Sequence, residues 1–293
     1  MAWLRRGDRA RHPPGNTRVH LFRRRAGRRG HRRLARRPGP RARGWRTPHD
    51  PVIRAQRGTP PPVGGGAAVI GVVIPTLNEG RSLGPLLDDL RQLRTSVSLD
   101  VVVVDGGSTD GTWATAMVPG VRILAAPRGR ARQLNAGARA ARGEWLLFLH
   151  ADVRLATEAQ RALVAAVQPT SGVGAAVFRF AIDLPWFWKQ FIEVGQRVRE
   201  VLWGLPYGDQ GLLVRRELFE SVGGFPELPL MEDVAIIRLL RQRTAIRRLP
   251  APLLTSGRRY LDGIVRTWLR HTALITLYYM GVSADRLARW RHA

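Results

Sequence analysis

The 293-residue chain has no cysteine, and only one of its 48 basic residues, Lys189, is a lysine. Without thiols there is no disulfide framework, no cysteine nucleophile and no zinc-thiolate centre. The arginine-for-lysine bias is what a GC-rich genome imposes, and translation starts in such genomes are often assigned too far upstream. Also missing is any run of about 18 uninterrupted apolar residues, the length a spanning helix needs. No apolar core of a signal peptide is visible either. The expected location is the cytoplasm, with contact to the inner face of the cell membrane as the alternative.

Acidic residues are scarce at one end. Residues 1–66 hold 19 arginines and 2 acidic residues, net +17, whereas residues 67–293 hold 29 basic and 20 acidic residues, net +9. The leader is rich in Pro and Gly and poor in large apolar residues, so it cannot bury enough surface to offset chain entropy and is expected to be disordered. A passive tail or misassigned start is the favoured reading, since charge runs are usually solvated. Contact with a membrane or polyanion is the competing one, and no specific nucleic acid partner is expected.

From residue 67 the pattern alternates strand and helix, which predicts an α/β fold with a mainly parallel, doubly wound sheet of Rossmann-like type and helices on both faces. Val69–Ile74 and Val101–Val104 are apolar β-branched runs that stop on polar loops, Pro75-Thr76-Leu77-Asn78-Glu79 and Asp105-Gly106-Gly107-Ser108-Thr109-Asp110-Gly111. Ligands in open α/β sheets bind where such strands end. An aspartate there, backed by glycines, can approach a sugar or base and accept hydrogen bonds from it. Helices are predicted over 83–93, 113–117, 130–141, 186–203, 216–221 and 232–241, with further strands over 121–124, 144–149, 175–182 and 212–215. Residues 67–155 form a nucleotide-sugar half and 156–293 an acceptor half of one continuous domain. Trp186–Trp203 and Thr272–Val282 read as amphipathic helices; burial against the sheet is the expected role, and a membrane surface the alternative.

The two strand-end loops, together with Arg128-Gly129-Arg130-Ala131-Arg132-Gln133-Leu134-Asn135-Ala136-Gly137, Leu149-His150-Ala151-Asp152, Gly208-Asp209-Gln210 and Met231-Glu232-Asp233, resemble in order the motifs of family 2 glycosyltransferases, which have the GT-A fold. The set is similar to a bacterial subfamily of arsenosugar-type pathways and to carotenoid-acid glucosyltransferases. The resemblance implies an inverting transfer of a hexosyl group from a nucleoside diphosphate sugar, a UDP-sugar foremost, to a hydroxyl or carboxylate acceptor, with a divalent cation, Mn²⁺ or Mg²⁺, as cofactor.

It also implies roles for individual residues. Pro75, Thr76, Glu79, Asp105 and Gly106 would hold base and ribose; Arg128, Arg130, Arg132 and Asn135 would lie toward base or diphosphate; Arg258 or Arg259 would clamp the diphosphate. Asp209 and Gln210 fall at the acceptor site, and Asp209 is the second candidate for the general base. Asp233 corresponds to the general base, with Glu232 orienting it or holding acceptor hydroxyls. Asp152 corresponds to the metal-side aspartate of an Asp-x-Asp pair whose first place here is His150. That departure leaves His150 as a ligand to a softer ion, a ribose or phosphate contact, or a strand-end histidine. For Asp110, capping of the following helix competes with nucleotide binding and is favoured. Gly137 has a packing reading, close approach of helix to sheet. A sugar nucleotidyltransferase would need a Gly-rich, Lys-bearing loop after the first strand, and Pro75–Glu79 has neither. A non-catalytic carbohydrate- or membrane-binding relative is the remaining alternative.

Overall fold

Valine and isoleucine build the first strands, because branched side chains pack well on a pleated surface buried on both sides. In the computed structural model, which describes residues 68–203, 210–260 and 263–292, strand β1 spans Val69–Thr76 and β2 spans Ser98–Asp105. Ile70, Val72 and Ile74 point to one side of the sheet, into a core with Leu83, Leu86 and Leu90 of helix α1 (Leu83–Leu93). Val73, Val102 and Val104 point to the other, beside Leu134 and Ala138 of α3 (Arg130–Ala140). Each fully buried leucine or isoleucine contributes roughly 1.5–3 kcal/mol. Gly137 fits the packing reading: a Cβ there would overlap Val73 and lie 2.9 Å from Val104, so alanine would push α3 off the sheet.

The remaining elements follow as α2 (Thr112–Ala116), β3 (Val121–Ala125), β4 (Trp145–Phe148), β5 (Val153–Arg154), α4 (Thr157–Ala166), β6 (Ala175–Asp183), α5 (Trp186–Trp203), β7 (Leu212–Arg215), α6 (Arg216–Ser221), α7 (Glu232–Arg241), β8 (Ile246–Ser256), α8 (Ile264–Tyr279) and α9 (Ala284–His292). The eight strands lie in one sheet in the order β3-β2-β1-β4-β7-β6-β8-β5. β3, β2, β1 and β4 are parallel to their neighbours. Beyond β4 the sheet is mixed: β7 runs antiparallel to β4 and β6, β8 parallel to β6, and β5 antiparallel to β8. The parallel expectation therefore holds through the first half and gives way in the second, where the sheet continues without a break. Chain order reverses between β1 and β4, so the crevice that such a switch opens lies at their carboxyl ends.

The leader and Asp209 lie outside the described residues. The aromatic segment Trp186–Trp203 is helical as expected, yet over residues 186–195 burial is confined to one flank. Ile192 is 1% exposed whereas Trp186 and Phe187 are 75% and 65% exposed.

Candidate active site

Two sets of side chains meet at the crevice. The first ties the loops after β1 and β2 to each other. Asp105 is 2% exposed. Its Oδ2 accepts from the amides of Gly107 and Ser108 (2.9 Å each) and from Trp113 Nε1 (3.0 Å). Its Oδ1 accepts from the Ser108 hydroxyl and, at 3.3 Å, from Thr76 Oγ1. Burial works against ionisation, but the donors on Ser108, Trp113 and Gly107 outweigh it and hold the carboxyl below the ordinary aspartate value. Asp110 accepts from the Thr112 amide (2.9 Å) and hydroxyl and from the Gly80 amide (3.0 Å). It stands one residue before Gly111, the N-cap of α2, and accepts from the helix's first amide; those bonds from Thr112 lower its pKa. Asn78, in the left-handed region at φ 57°, accepts from the Thr109 amide (2.9 Å). Gln133 Nε2, buried on α3, donates to the carbonyls of Thr76 and Val104 (2.8 Å each). It locks the two strand ends at one separation and stands under Gly106, where a Cβ would come within 3.1 Å of it.

The second set is charged and crowded. Met231, the N-cap of α7, is held at φ 67°, and this kink delivers Glu232 and Asp233 from the preceding apolar loop into the crevice. Met231 and Asn78 are the non-glycine residues with positive φ among those described. A non-glycine residue in this conformation stores strain of about 1–3 kcal/mol. The acidic pair in the first turn of α7 suits the helix dipole. Arg130, at the start of α3, reaches across to it: Nε donates to Glu232 Oε1, Nη2 lies 3.4 Å from Asp233 Oδ2, and Nη1 lies 3.4 Å from His150 Nε2. Glu232 is 2% exposed. Burial pushes its carboxyl up, neighbouring Asp233 adds to this, and Arg130 opposes both without cancelling them.

Arg130, His150 and Glu232 form a partition. On one side is an open cavity of about 370 Å³ walled by Pro75, Thr76, Glu79, Arg128 and Gln133. On the other is a tight chamber of about 30 Å³ walled by Phe148, Val177, Leu212, Phe225, Ile236 and Asp233. Arg258 closes the rim of the larger cavity: its Nη2 pairs with Glu79 Oε2 at 2.9 Å. Gly257–Tyr260 is a 3-10 turn after β8, brought to the crevice because the Ser256 amide donates to the Asp152 carbonyl at 3.0 Å. Asp152 itself is buried at the strand end, 6% exposed.

Several expected contacts lie elsewhere. Asn135 pairs with the Phe225 backbone, Nδ2 to the carbonyl (2.8 Å) and Oδ1 to the amide (2.9 Å), which pins the Gly223-Gly224-Phe225 turn to α3. Arg132 makes an exposed ion pair with Glu227 at 3.3 Å. Gln210 is fully buried before β7, and the Arg259 side chain is outside the described residues. At the centre stand Gln133, which sequence reasoning passed over, and Arg130, one of the three arginines considered for the base or diphosphate. Their signal is helical spacing: with Leu134 they occupy one face of α3 at i, i+3 and i+4, and Arg132 turns away.

A nucleotide-sized cavity at the β1/β4 switch point and an acidic pair, Glu232 buried and Asp233 partly exposed, beside an apolar chamber go with a GT-A architecture. Structural likeness agrees. The mannosyltransferase PcManGT of Pyrobaculum calidifontis, solved with GDP-Man and Mn²⁺, superposes with a TM-score of 0.53 at 21% identity over 71% of this chain and 62% of its own. Residues 1–349 of TarS from S. aureus, solved with UDP, superpose at 0.51 with 18% identity over 64% of this chain and 60% of that one. Residues 71–223 match the family model described as glycosyl transferase family 2, and the chain belongs to that family. A PGL/p-HBAD biosynthesis glycosyltransferase of Mycobacterium tuberculosis is 30% identical over 170 residues, 54% of this chain. The match spans 64% of that relative's length.

Proposed function

We propose that the chain is an inverting glycosyltransferase that moves a hexosyl group from a UDP-sugar to an acceptor with an apolar body. The observation that carries the reading is the partition: one arginine, one histidine and one buried carboxylate separate a polar cavity from an apolar chamber. The donor nucleotide would occupy the larger cavity, its base and ribose against the Pro75–Glu79 loop, Gly106 and Arg128. Asp105 would act there by shaping the loop, since both its oxygens already accept hydrogen bonds. Arg258 would reach the diphosphate from the rim, exchanging Glu79 for phosphate oxygens.

For the leaving group, Asp152 is the fitting cation ligand. Among the described residues no three His, Asp or Glu side chains gather into a metal cluster, so a Mn²⁺ or Mg²⁺ ion held by Asp152 would complete its sphere from diphosphate oxygens and water. Bound there, it would neutralise charge developing on the departing diphosphate. The Arg130 guanidinium beside His150 Nε2 favours a ribose or phosphate contact for that histidine over metal ligation, because a fixed cation repels another.

Asp233 is assigned as the general base. The acceptor hydroxyl gives its proton to Asp233 as its oxygen bonds to the anomeric carbon, and the bond from that carbon to the diphosphate oxygen breaks with its electrons leaving on UDP. Glu232 holds Arg130, and Arg130 positions Asp233. The reading extends to acceptors of the carotenoid-acid kind, apolar around one reacting group; a carboxylate acceptor arrives ionised and needs no base. The test is thermal shift of the full chain with UDP-hexoses in Mn²⁺, followed by transfer to hydroxyl and carboxylate acceptors. Donor at 100 times its dissociation constant adds about 2.7 kcal/mol of stability; no shift with any nucleotide sugar overturns the reading.

A further inference from the structure

Helices α5 and α8 carry an aromatic surface that neither the core nor the crevice uses. On α5, Trp186, Phe187, Phe191 and Val194 are 75%, 65%, 39% and 52% exposed; on α8, Val265 and Leu269 are 43% and 55% exposed. Exposed apolar residues occurring singly need no explanation, but contiguous ones do. Here they are joined. Phe187 stands edge-on against Trp188 (5.4 Å between centroids) and Trp188 against Phe191 (6.3 Å), and Phe191 meets Trp268 of α8 at a tilt (5.2 Å). The helices are seated by Gly195, where a Cβ would come within 2.8 Å of the Trp268 ring.

Among the described residues of these two helices, the charges that face outward are positive. α8 carries Arg266 and Arg270, both exposed, and has no acidic residue along its length; the aromatic end of α5 carries Lys189. Its carboxylate Glu193 turns inward and accepts from the Ile182 amide at 3.3 Å, and exposed Asp183 stands at the near end of β6. No described helix is long and apolar enough to cross a membrane. Aromatic rings flanked by arginine and lysine on a helix face that cannot span are the composition of an interfacial contact, with rings at headgroup depth and cations against anionic lipid. A second copy of the chain fits less well, because a two-fold contact would bring the Arg266 and Lys189 faces of both copies together.

We propose that the α5/α8 aromatic surface docks on an anionic lipid bilayer. The surface adjoins the mouth of the crevice: Gly257 packs so closely on Asp183 and Leu184, just before α5, that a Cβ would overlap them, and the next residue is Arg258 of the cavity rim. On the glycosyltransferase reading, docking would present that mouth to a lipid-borne acceptor; the docking itself does not depend on turnover.

The test uses the full chain with vesicles of phosphatidylglycerol and phosphatidylcholine in equal parts, and of phosphatidylcholine alone, read by co-sedimentation. Parent and variants share the arginine-rich leader, so any difference between them belongs to the surface. Trp186→Ser with Phe187→Ser, and separately Val265→Ser with Leu269→Ser, should each lower partitioning to the anionic vesicles by about tenfold or more at unchanged melting temperature, given the apolar area removed. Neutral vesicles should bind the parent more weakly than anionic ones. Variants that partition as the parent does, or a parent that ignores both vesicles, overturn the proposal. A parent that light scattering shows to be a dimer, split to monomers by the same substitutions, assigns the surface to self-association instead and overturns it equally.

Discussion

The loops after β1 and β2 and the junction of α3 with α7 lie side by side in the crevice, and they handle polar groups in opposite ways. In the loops, Asp105, Asp110, Asn78 and Gln133 accept from or donate to backbone at 2.8–3.0 Å, and both aspartates are held below their ordinary pKa. At the junction, two carboxylates share one arginine, Glu232 is pushed up in pKa, and the chain enters through a strained methionine. The first arrangement is rigid and shaped before a ligand arrives. The second concentrates charge that a ligand can redistribute, which is where perturbed titration marks function. A donor diphosphate approaching Arg130 would compete with Asp233 for the guanidinium.

The largest effect that sharpens this contrast is expected at Asp152. Asp152→Asn should abolish Mn²⁺-dependent donor binding and cut turnover by about 10²–10³, the several kcal/mol that metal stabilisation of a leaving group supplies. His150→Asn should cost less. Calorimetry of UDP-sugar binding with and without Mn²⁺ checks both, and a full-strength Mn²⁺ response in Asp152→Asn breaks the metal assignment.

Next comes the rigid side. Asp105→Ala strips partners from Gly107, Ser108 and Trp113 at a site that excludes water, and should cost about 3–5 kcal/mol of stability in denaturant unfolding. Because the folded pKa of Asp105 is depressed, its contribution is full above the ordinary aspartate value and fades as pH falls through the folded one. The gap between parent and variant should therefore narrow in acid. A variant that melts like the parent yet fails to bind donor would make Asp105 a ligand contact and erase the contrast.

The smallest effect is at Glu232. Its pKa is raised in the fold, so the stability associated with its neutral form is full below the ordinary glutamate value and lost as pH rises through the folded one. Glu232→Gln keeps the neutral form at every pH. Its melting temperature should gain on that of the parent as pH rises through that window and then run parallel; a difference that stays flat across pH contradicts the raised pKa.

Much of the crevice was legible in the sequence because its parts are local. An apolar β-branched run that ends on Pro-Thr or Asp-Gly-Gly announces both a strand and the place where it stops, and the elements from β1 to β4 stand within a residue or three of their expected limits. What lay hidden depends on distant partners. β8 reads poorly as a strand because Pro250 and Pro252 each lack an N–H. It forms because its pairing with β6 shifts register between Val177 and Arg179, accommodating them, while β5 pairs only with Leu254 and Thr255. Arg130 was one arginine among three until α7, 102 residues on, brought Glu232 against it. Asn135 belonged to a ligand motif, and its partner turned out to be the Phe225 backbone, 90 residues away. The aromatic segment of α5 showed helical periodicity without saying which flank the sheet would cover.

The central claim, that the Arg130-bridged pair is where the proton leaves the acceptor, is tested most directly by Asp233→Asn. The amide keeps the shape of the carboxylate and loses its proton affinity. Under single-turnover conditions with a hydroxyl acceptor, the account predicts parental donor affinity and a rate lowered by about 10²–10⁴, with a much smaller loss when the acceptor is a carboxylate. A near-parental rate on the hydroxyl acceptor contradicts it.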